Sequence, residues 1–228
     1  LLRIVFFLVL FPQIAVAQAV TEPSSPILVV RHKKDYLKSV RTDSMQRLTE
    51  LKTMIPSIRY DLRYASKNNF TGKRLYPANT SRTFLRSAAA RALKGVCETL
   101  NTHGYSLLVF DAYRPYSVTK RMWELIHDER YVANPAKGSG HNRGLAIDCT
   151  LLDEAGNIVD MGTPFDHFTD SAHHSFFRLP GRVINARRLL KTCMEQHGFR
   201  ALETEWWHYA WPNDRNYHVL DLQFREVD

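Results

Sequence analysis

Three short segments gather ionisable side chains between apolar runs: Asp111–Pro115, Ser139–Asp148 and Glu205–His208. In the second, His141 and Asp148 are both residue types that ligate zinc, the imidazole through nitrogen and the carboxylate through oxygen. Gly140 and Gly144 permit a tight loop, which can fold His141 back toward a strand carrying Asp148. The alternative is an exposed loop histidine and an aspartate making a structural hydrogen bond. A carboxylate buried between Ile147 and Thr150 is costly without a partner, so Asp148 demands a cation or several donors. In the third segment, Glu205 and His208 are three residues apart and would face opposite ways on a regular strand. A shared site therefore requires a turn or bulge between them. The competing reading is a tryptophan-rich core strand with a solvated Glu205 and a satisfied His208. Two histidines and one carboxylate would leave a fourth zinc position open, as catalytic sites do. A further carboxylate that is not a ligand, Glu205, could then act as a general base. Residue types alone leave both readings open.

The elements that must position these residues follow from periodicity and turn chemistry. Apolar Phe84, Leu85, Ala88, Ala92, Val96 and Leu100 predict a helix over 83–102, with Gly104 just past its end. Further helices are expected over 117–128, with Ser117 as cap, and over 182–197, ended by Gly198. The alternation at Ile58, Tyr60, Leu62 and Tyr64 reads as a half-buried strand. Strands are also expected at 107–110, 145–152, 206–211 and 219–224. Helices and strands mix without regular alternation, so the fold class is α+β, in one compact domain with a central antiparallel sheet and flanking helices. A chain of 228 residues with 44% hydrophobic content can bury one good core.

Arg3, the apolar run Ile4–Phe11 and the small-x-small Ala15-Val16-Ala17 read as a secretory signal peptide over 1–17. The run is too short to span a bilayer, which takes about 20 apolar residues, so no stable membrane anchor is expected after cleavage. Residues 18–45 read as a linker and N-terminal extension, and 46–228 as the catalytic domain. The formal charge of +8 is scattered; export argues against nucleic acid and favours a periplasmic or secreted location facing anionic envelope material. Cys97, Cys149 and Cys193 are too few for a disulfide framework. One bridge is conceivable, Cys97 with Cys193, since both fall in predicted helices. Cys149 reads as core, pointing away from Asp148 on the same strand. His173-His174 reads as loop packing, because adjacent side chains diverge.

Ser139-Gly140-His141-x-x-Gly144-x-Ala146-x-Asp148 followed by Glu205-x-Trp207-His208 resembles the D-alanyl-D-alanine dipeptidase family, which includes the enzyme tied to vancomycin resistance and its housekeeping relatives. Asn69-Phe70-Thr71-Gly72-Lys73, Asp111-Ala112-Tyr113-Arg114-Pro115 and Met161-Gly162-Thr163-Pro164-Phe165-Asp166 are similar to family segments in the same order, as is His173-His174. The resemblance covers about 46–222. It implies the fold shared with zinc D,D-peptidases and the hedgehog domain, and one zinc ion on His141, Asp148 and His208. It further implies Glu205 as general acid/base, Arg114 as oxyanion stabiliser, and Ser139 with Asp166 holding the substrate's free amino terminus. The implied reaction is hydrolysis of the small dipeptide D-Ala-D-Ala in wall-peptide turnover or scavenging. The alternative is a zinc D,D- or L,D-carboxypeptidase or endopeptidase acting on peptidoglycan peptides.

Overall fold

The computed structural model describes residues 27–227. The signal-peptide reading and the first part of the linker lie outside the described residues. In chain order the elements are β1 (Val29–Val30), α1 (Lys33–Thr42), β2 (Leu48–Glu50), α2 (Leu51–Met54), β3 (Arg59–Tyr60), β4 (Phe84–Arg86), α3 (Ser87–Thr102) and β5 (Ser106–Asp111). There follow α4 (Tyr116–Leu125), α5 (Gly140–Arg143), β6 (Ala146–Leu152), α6 (Gly181–Gln196), β7 (Arg200–Ala201), β8 (His208–Ala210) and β9 (Val219–Leu220). The central sheet runs β3-β5-β6-β8-β7. Its pairings are antiparallel except at one edge, where β3 lies parallel to β5. This is the α+β architecture expected from the order of elements.

The whole of β6 is buried, as is β5 beyond Ser106. Central strands covered on both faces read as near-continuous apolar runs, which is why Leu107–Phe110 and Leu145–Leu152 were conspicuous. Helices α3 and α6 pack together, α3 also against β5 and α6 against β6. The buried stripe of α3 is Ala89, Leu93, Val96, Cys97 and Leu100. Successive β6 side chains face opposite ways: Asp148 lines a cleft, and Cys149 belongs to the apolar core. The three cysteines are buried free thiols, so Cys97 and Cys193 form no disulfide. Burial in this apolar layer pushes the Cys97 thiol up to about 12 and raises Cys149 and Cys193 as well, holding all three inert.

Several expected boundaries shift, each because a remote group competes for the backbone. The predicted helix over 83–102 begins only at Ser87, because Phe84–Arg86 pairs antiparallel with Leu48–Glu50 as β4 on β2. Arg86 locks that join. Its fully buried guanidinium donates to the carbonyls of Gln46, Arg143 and His218. Ser117 does not cap α4; its own N–H is accepted by Asp221 Oδ1 at 2.9 Å, and the helix starts at Tyr116 after Pro115. The expected strand through Tyr64 stops at Tyr60, and a 3-10 turn over Arg63–Ala65 turns Tyr64 inward. Near the C-terminus, Val219–Leu220 pairs with β1 for two residues, after which the Tyr113 hydroxyl takes over, donating to Leu222 O and accepting from Leu222 N. The N-terminal extension is partly structured: α1 buries Tyr36 and Val40. Among the described residues, no helix is long and apolar enough to cross a membrane.

Candidate metal centre and catalytic cleft

The single turn α5 shapes the site. Ser139 caps it: the Ser139 side-chain oxygen accepts from the Asn142 N–H at 3.1 Å, and Asn142 Oδ1 accepts from the Ser139 N–H at 3.1 Å. Asn142 Nδ2 donates to Arg114 O at 2.9 Å and to the Thr119 hydroxyl at 2.8 Å. The Arg114 N–H in turn donates to His141 O at 3.1 Å. The Asp111–Pro115 and Ser139–Asp148 segments are therefore stitched backbone to backbone. Gly144 ends the turn at φ 68°, and a Cβ there would run into the Leu48 side chain. At Gly140 a Cβ would lie 2.9 Å from Ala146 Cβ. Both glycines are thus required by close approach.

Within this frame, His141 Nδ1 lies 2.7 Å from Ala112 O. A carbonyl only accepts, so Nδ1 carries the proton and Nε2 presents its lone pair to the cleft. Asp148 and His208 are direct cross-strand partners of β6 and β8, with His208 Nδ1 2.9 Å from Asp148 Oδ1. His141 Nε2 stands 3.4 Å from Asp148 Oδ2 and 3.3 Å from His208 Nδ1. Ligand atoms from all three residues lie within 4.8 Å of one another. Two ring nitrogens facing each other beside a carboxylate form a set that one shared cation would satisfy, and this mixed nitrogen and oxygen set suits a divalent transition metal. His173 and His174 contribute nothing here: His174 packs edge-on to Tyr209 and His173 lies near Asp170.

The bend demanded between Glu205 and His208 is present. The Glu205 N–H donates to Leu202 O at 3.1 Å and the His208 N–H to Glu205 O at 3.2 Å, a turn leading directly into β8. It returns Glu205 Oε2 to 3.9 Å from His208 Nδ1. Trp206 and Trp207 are buried, the former donating its indole N–H to Thr163, and they keep bulk water from this corner. Burial raises the Glu205 carboxyl to about 7, with Asp148 adding to the effect. Burial also acts to raise Asp148, yet His141 and His208 hold its carboxyl well below the usual range.

Arg114 is buried beside the centre, with Nη2 3.8 Å from Asp148 Oδ2 and its guanidinium 5.1 Å from the Tyr64 ring centroid. It is held by a residue that sequence reasoning did not single out, Asp111, through Nε at 2.9 Å and Nη2 at 2.7 Å to one carboxylate oxygen. Asp111 is fully buried and also accepts from the Tyr76 hydroxyl at 2.6 Å. Its place three residues before Arg114, at the end of an apolar strand, was the available signal. Tyr64 was missed too. Its hydroxyl donates to Asp166 at 3.1 and 3.3 Å, a contact between residues 102 apart that no local pattern announces. Asp166 adopts a left-handed φ of 60°, strained for a residue with a side chain. Burial pushes its carboxyl well up, and the neighbouring Asp148 charge adds to this. An arriving cation would relieve that penalty. Ser139, Asp166, Arg114, Glu205 and the three metal-ligand candidates all line one cavity of about 290 Å³, at the small end for ligand sites.

A polar cleft with a histidine–aspartate–histidine set and an adjacent unligated carboxylate is the arrangement of a metallopeptidase. The chain belongs to the D-ala-D-ala dipeptidase family of M15 peptidases, whose family model matches residues 44–227. A D-alanyl-D-alanine dipeptidase of Escherichia coli K12 is 36% identical over 177 residues, spanning 78% of this chain and 91% of that protein. One from Enterococcus faecium is 33% identical over 181 residues, or 71% and 90% of the two chains. Among solved structures, an LD-carboxypeptidase is similar at 21% identity and a TM-score of 0.39, over 59% of this chain and 62% of that one.

Proposed function

We propose that this chain is an exported zinc dipeptidase that hydrolyses D-Ala-D-Ala to free D-alanine, with one ion on His141, Asp148 and His208. The observation that carries the reading is the convergence of those three donors beside Glu205, in a small cavity that also holds Asp166. When bound, a zinc ion supplies Lewis acidity toward a carbonyl oxygen and toward a nearby water. Glu205 accepts the proton of the attacking water and passes it to the leaving amine; its carboxyl, raised to about 7, suits both directions of transfer. Arg114, preorganised by Asp111, donates to the oxygen on which negative charge develops. Asp166 receives the substrate ammonium, with the Tyr64 hydroxyl fixing its carboxylate. Ser139 lines the same wall, although its side-chain oxygen already accepts the α5 capping bond.

The test is a comparison of D-Ala-D-Ala with its N-acetyl derivative. The free dipeptide should be cleaved at least tenfold faster, and a chelator should abolish cleavage until zinc is restored. Faster cleavage of the acetylated compound would instead mark a carboxypeptidase acting on peptidoglycan peptides. Export rests on the apolar run Ile4–Phe11 and on Ala15-Val16-Ala17; N-terminal sequencing of the native protein should find Gln18 first, and an uncleaved N-terminus would remove this part of the reading.

A further inference from the structure

A free dipeptide is charged at both ends, and Asp166 accounts for only one of them. The carboxylate at the other end needs hydrogen-bond donors, and a guanidinium supplies them together with opposite charge. Among the described residues lining the cavity, the lysine and arginine side chains are two, Arg114 and Arg130. Arg114 is committed: Asp111 holds it from behind, and it lies against the Tyr64 ring beside Asp148. Arg130 is differently placed. It stands at the mouth on the connection between α4 and α5, with 74% of its side chain exposed.

Its present partner is Asp128, two residues away, reached through Nε at 3.0 and 3.1 Å and Nη2 at 2.5 Å. This fork-on-carboxylate geometry is the one a peptide carboxylate would adopt with a guanidinium. An exposed ion pair of this kind contributes little to stability, so exchanging Asp128 for a substrate carboxylate carries little cost. The connection itself is braced for the purpose. Glu129 is taken up by Lys137 at 2.6 Å and Asn134 at 2.9 Å, which neutralises the one acidic side chain adjoining Arg130 on the cavity wall. Tyr131 stacks on Phe168 with centroids 4.7 Å apart, and the Arg130 guanidinium sits 5.1 Å from the Tyr131 ring. Ring stacking thus ties the connection that carries Arg130 to the loop that carries Phe168.

We propose that Arg130 is a specificity-determining residue that receives the C-terminal carboxylate of the substrate, so that the cleft grips a zwitterionic dipeptide at both ends. This rests on the dipeptidase reading above. It explains how a cleft open at its mouth can prefer a free dipeptide over a longer or amidated chain: the reward for a terminal carboxylate comes from a side chain carried on the mouth itself.

The experiment compares D-Ala-D-Ala with D-Ala-D-Ala amide, using zinc-loaded full-length protein and its Arg130→Gln and Arg130→Lys variants. The wild type should favour the free acid by at least tenfold in kcat/KM. Arg130→Gln should bring the ratio close to one by raising KM for the free acid, leaving kcat and the amide's kinetics within about twofold. Arg130→Lys should recover part of the preference, because it keeps the charge and loses the fork. A ratio unchanged in Arg130→Gln, or a wild type that does not distinguish acid from amide, overturns the subsite while leaving the dipeptidase intact. Failure of the wild type to cleave either compound overturns the dipeptidase reading itself, and the subsite with it.

Discussion

Replacing Glu205 with Gln should lower kcat by about 10²–10⁴, the usual range for a positioned general acid or base, while zinc content stays at that of the wild type. The side chain stands 3.9 Å from His208 Nδ1 and is not among the three converging donors, so its loss removes proton transfer and leaves the ligand set whole. Glutamine keeps the shape and spares the turn between Leu202 and His208, whose bonds are made by backbone. The pH profile of the wild type carries the same information. Burial raises this carboxyl to about 7. A carboxyl with a raised pKa is protonated below that value, so the base form is lost as pH falls. The acid limb of kcat/KM should therefore lie at or just below 7, since a bound cation draws it down. Metal analysis together with steady-state kinetics decides the matter. Activity within tenfold of wild type would show that Glu205 is not the proton-transfer group, and loss of zinc in the variant would show that it helps hold the ion.

The Arg114→Ala variant should fail twice, once in rate and once in stability. Removing a donor aimed at developing negative charge costs about 10²–10³ in kcat. Breaking a buried ion pair by deleting one partner costs about 3–5 kcal/mol, because Asp111 is left fully buried with the Tyr76 hydroxyl as its remaining close donor. The sign with pH is fixed. Burial already raises the Asp111 carboxyl, and loss of Arg114 raises it further. A carboxylate with a folded pKa above its unfolded value destabilises the fold at neutral pH, and that penalty fades as pH falls and the group protonates. The variant's deficit in Tm should shrink on acidification. The double variant Asp111→Asn with Arg114→Ala should regain most of the lost Tm and none of the lost rate. If it regains activity as well, Arg114 is a structural partner of Asp111 and takes no part in the chemistry.

The pair Asp111 and Arg114 also shows how sequence and structure divide the information. Arg114 could be picked out because it sits in a polar cluster at a strand end within a family-like segment. Asp111 sits in the same cluster, yet its role depends on facing inward at the point where the β5–β6 register shifts, and register is a property of two strands. Tyr64 and Asp166 lie further from legibility. Their hydrogen bond joins a 3-10 turn to a distant loop, and the alternating pattern around Tyr64 suggested a strand continuing past Tyr60. Long-range pairing overrode local periodicity in the same way at Phe84–Arg86, where β2 claimed three residues whose spacing suited a helix.

By itself, the amino-acid order determined the donor types, the glycines that let the α5 turn close, and the α+β sequence of elements. It also carried the requirement that the chain bend between Glu205 and His208. Each of these depends on neighbours within about ten residues, or on the chemistry of single side chains. Only the tertiary structure decided that Ala112 O sets the His141 tautomer, that Asp148 and His208 lie opposite one another on β6 and β8, that Cys97 and Cys193 remain thiols, and that Arg130 stands over the same cavity as Asp166. Those relations span tens of residues along the chain. They exist only once the sheet has selected one register and the core has packed around it, because burying the apolar faces of β5 and β6 is what brings their polar ends together.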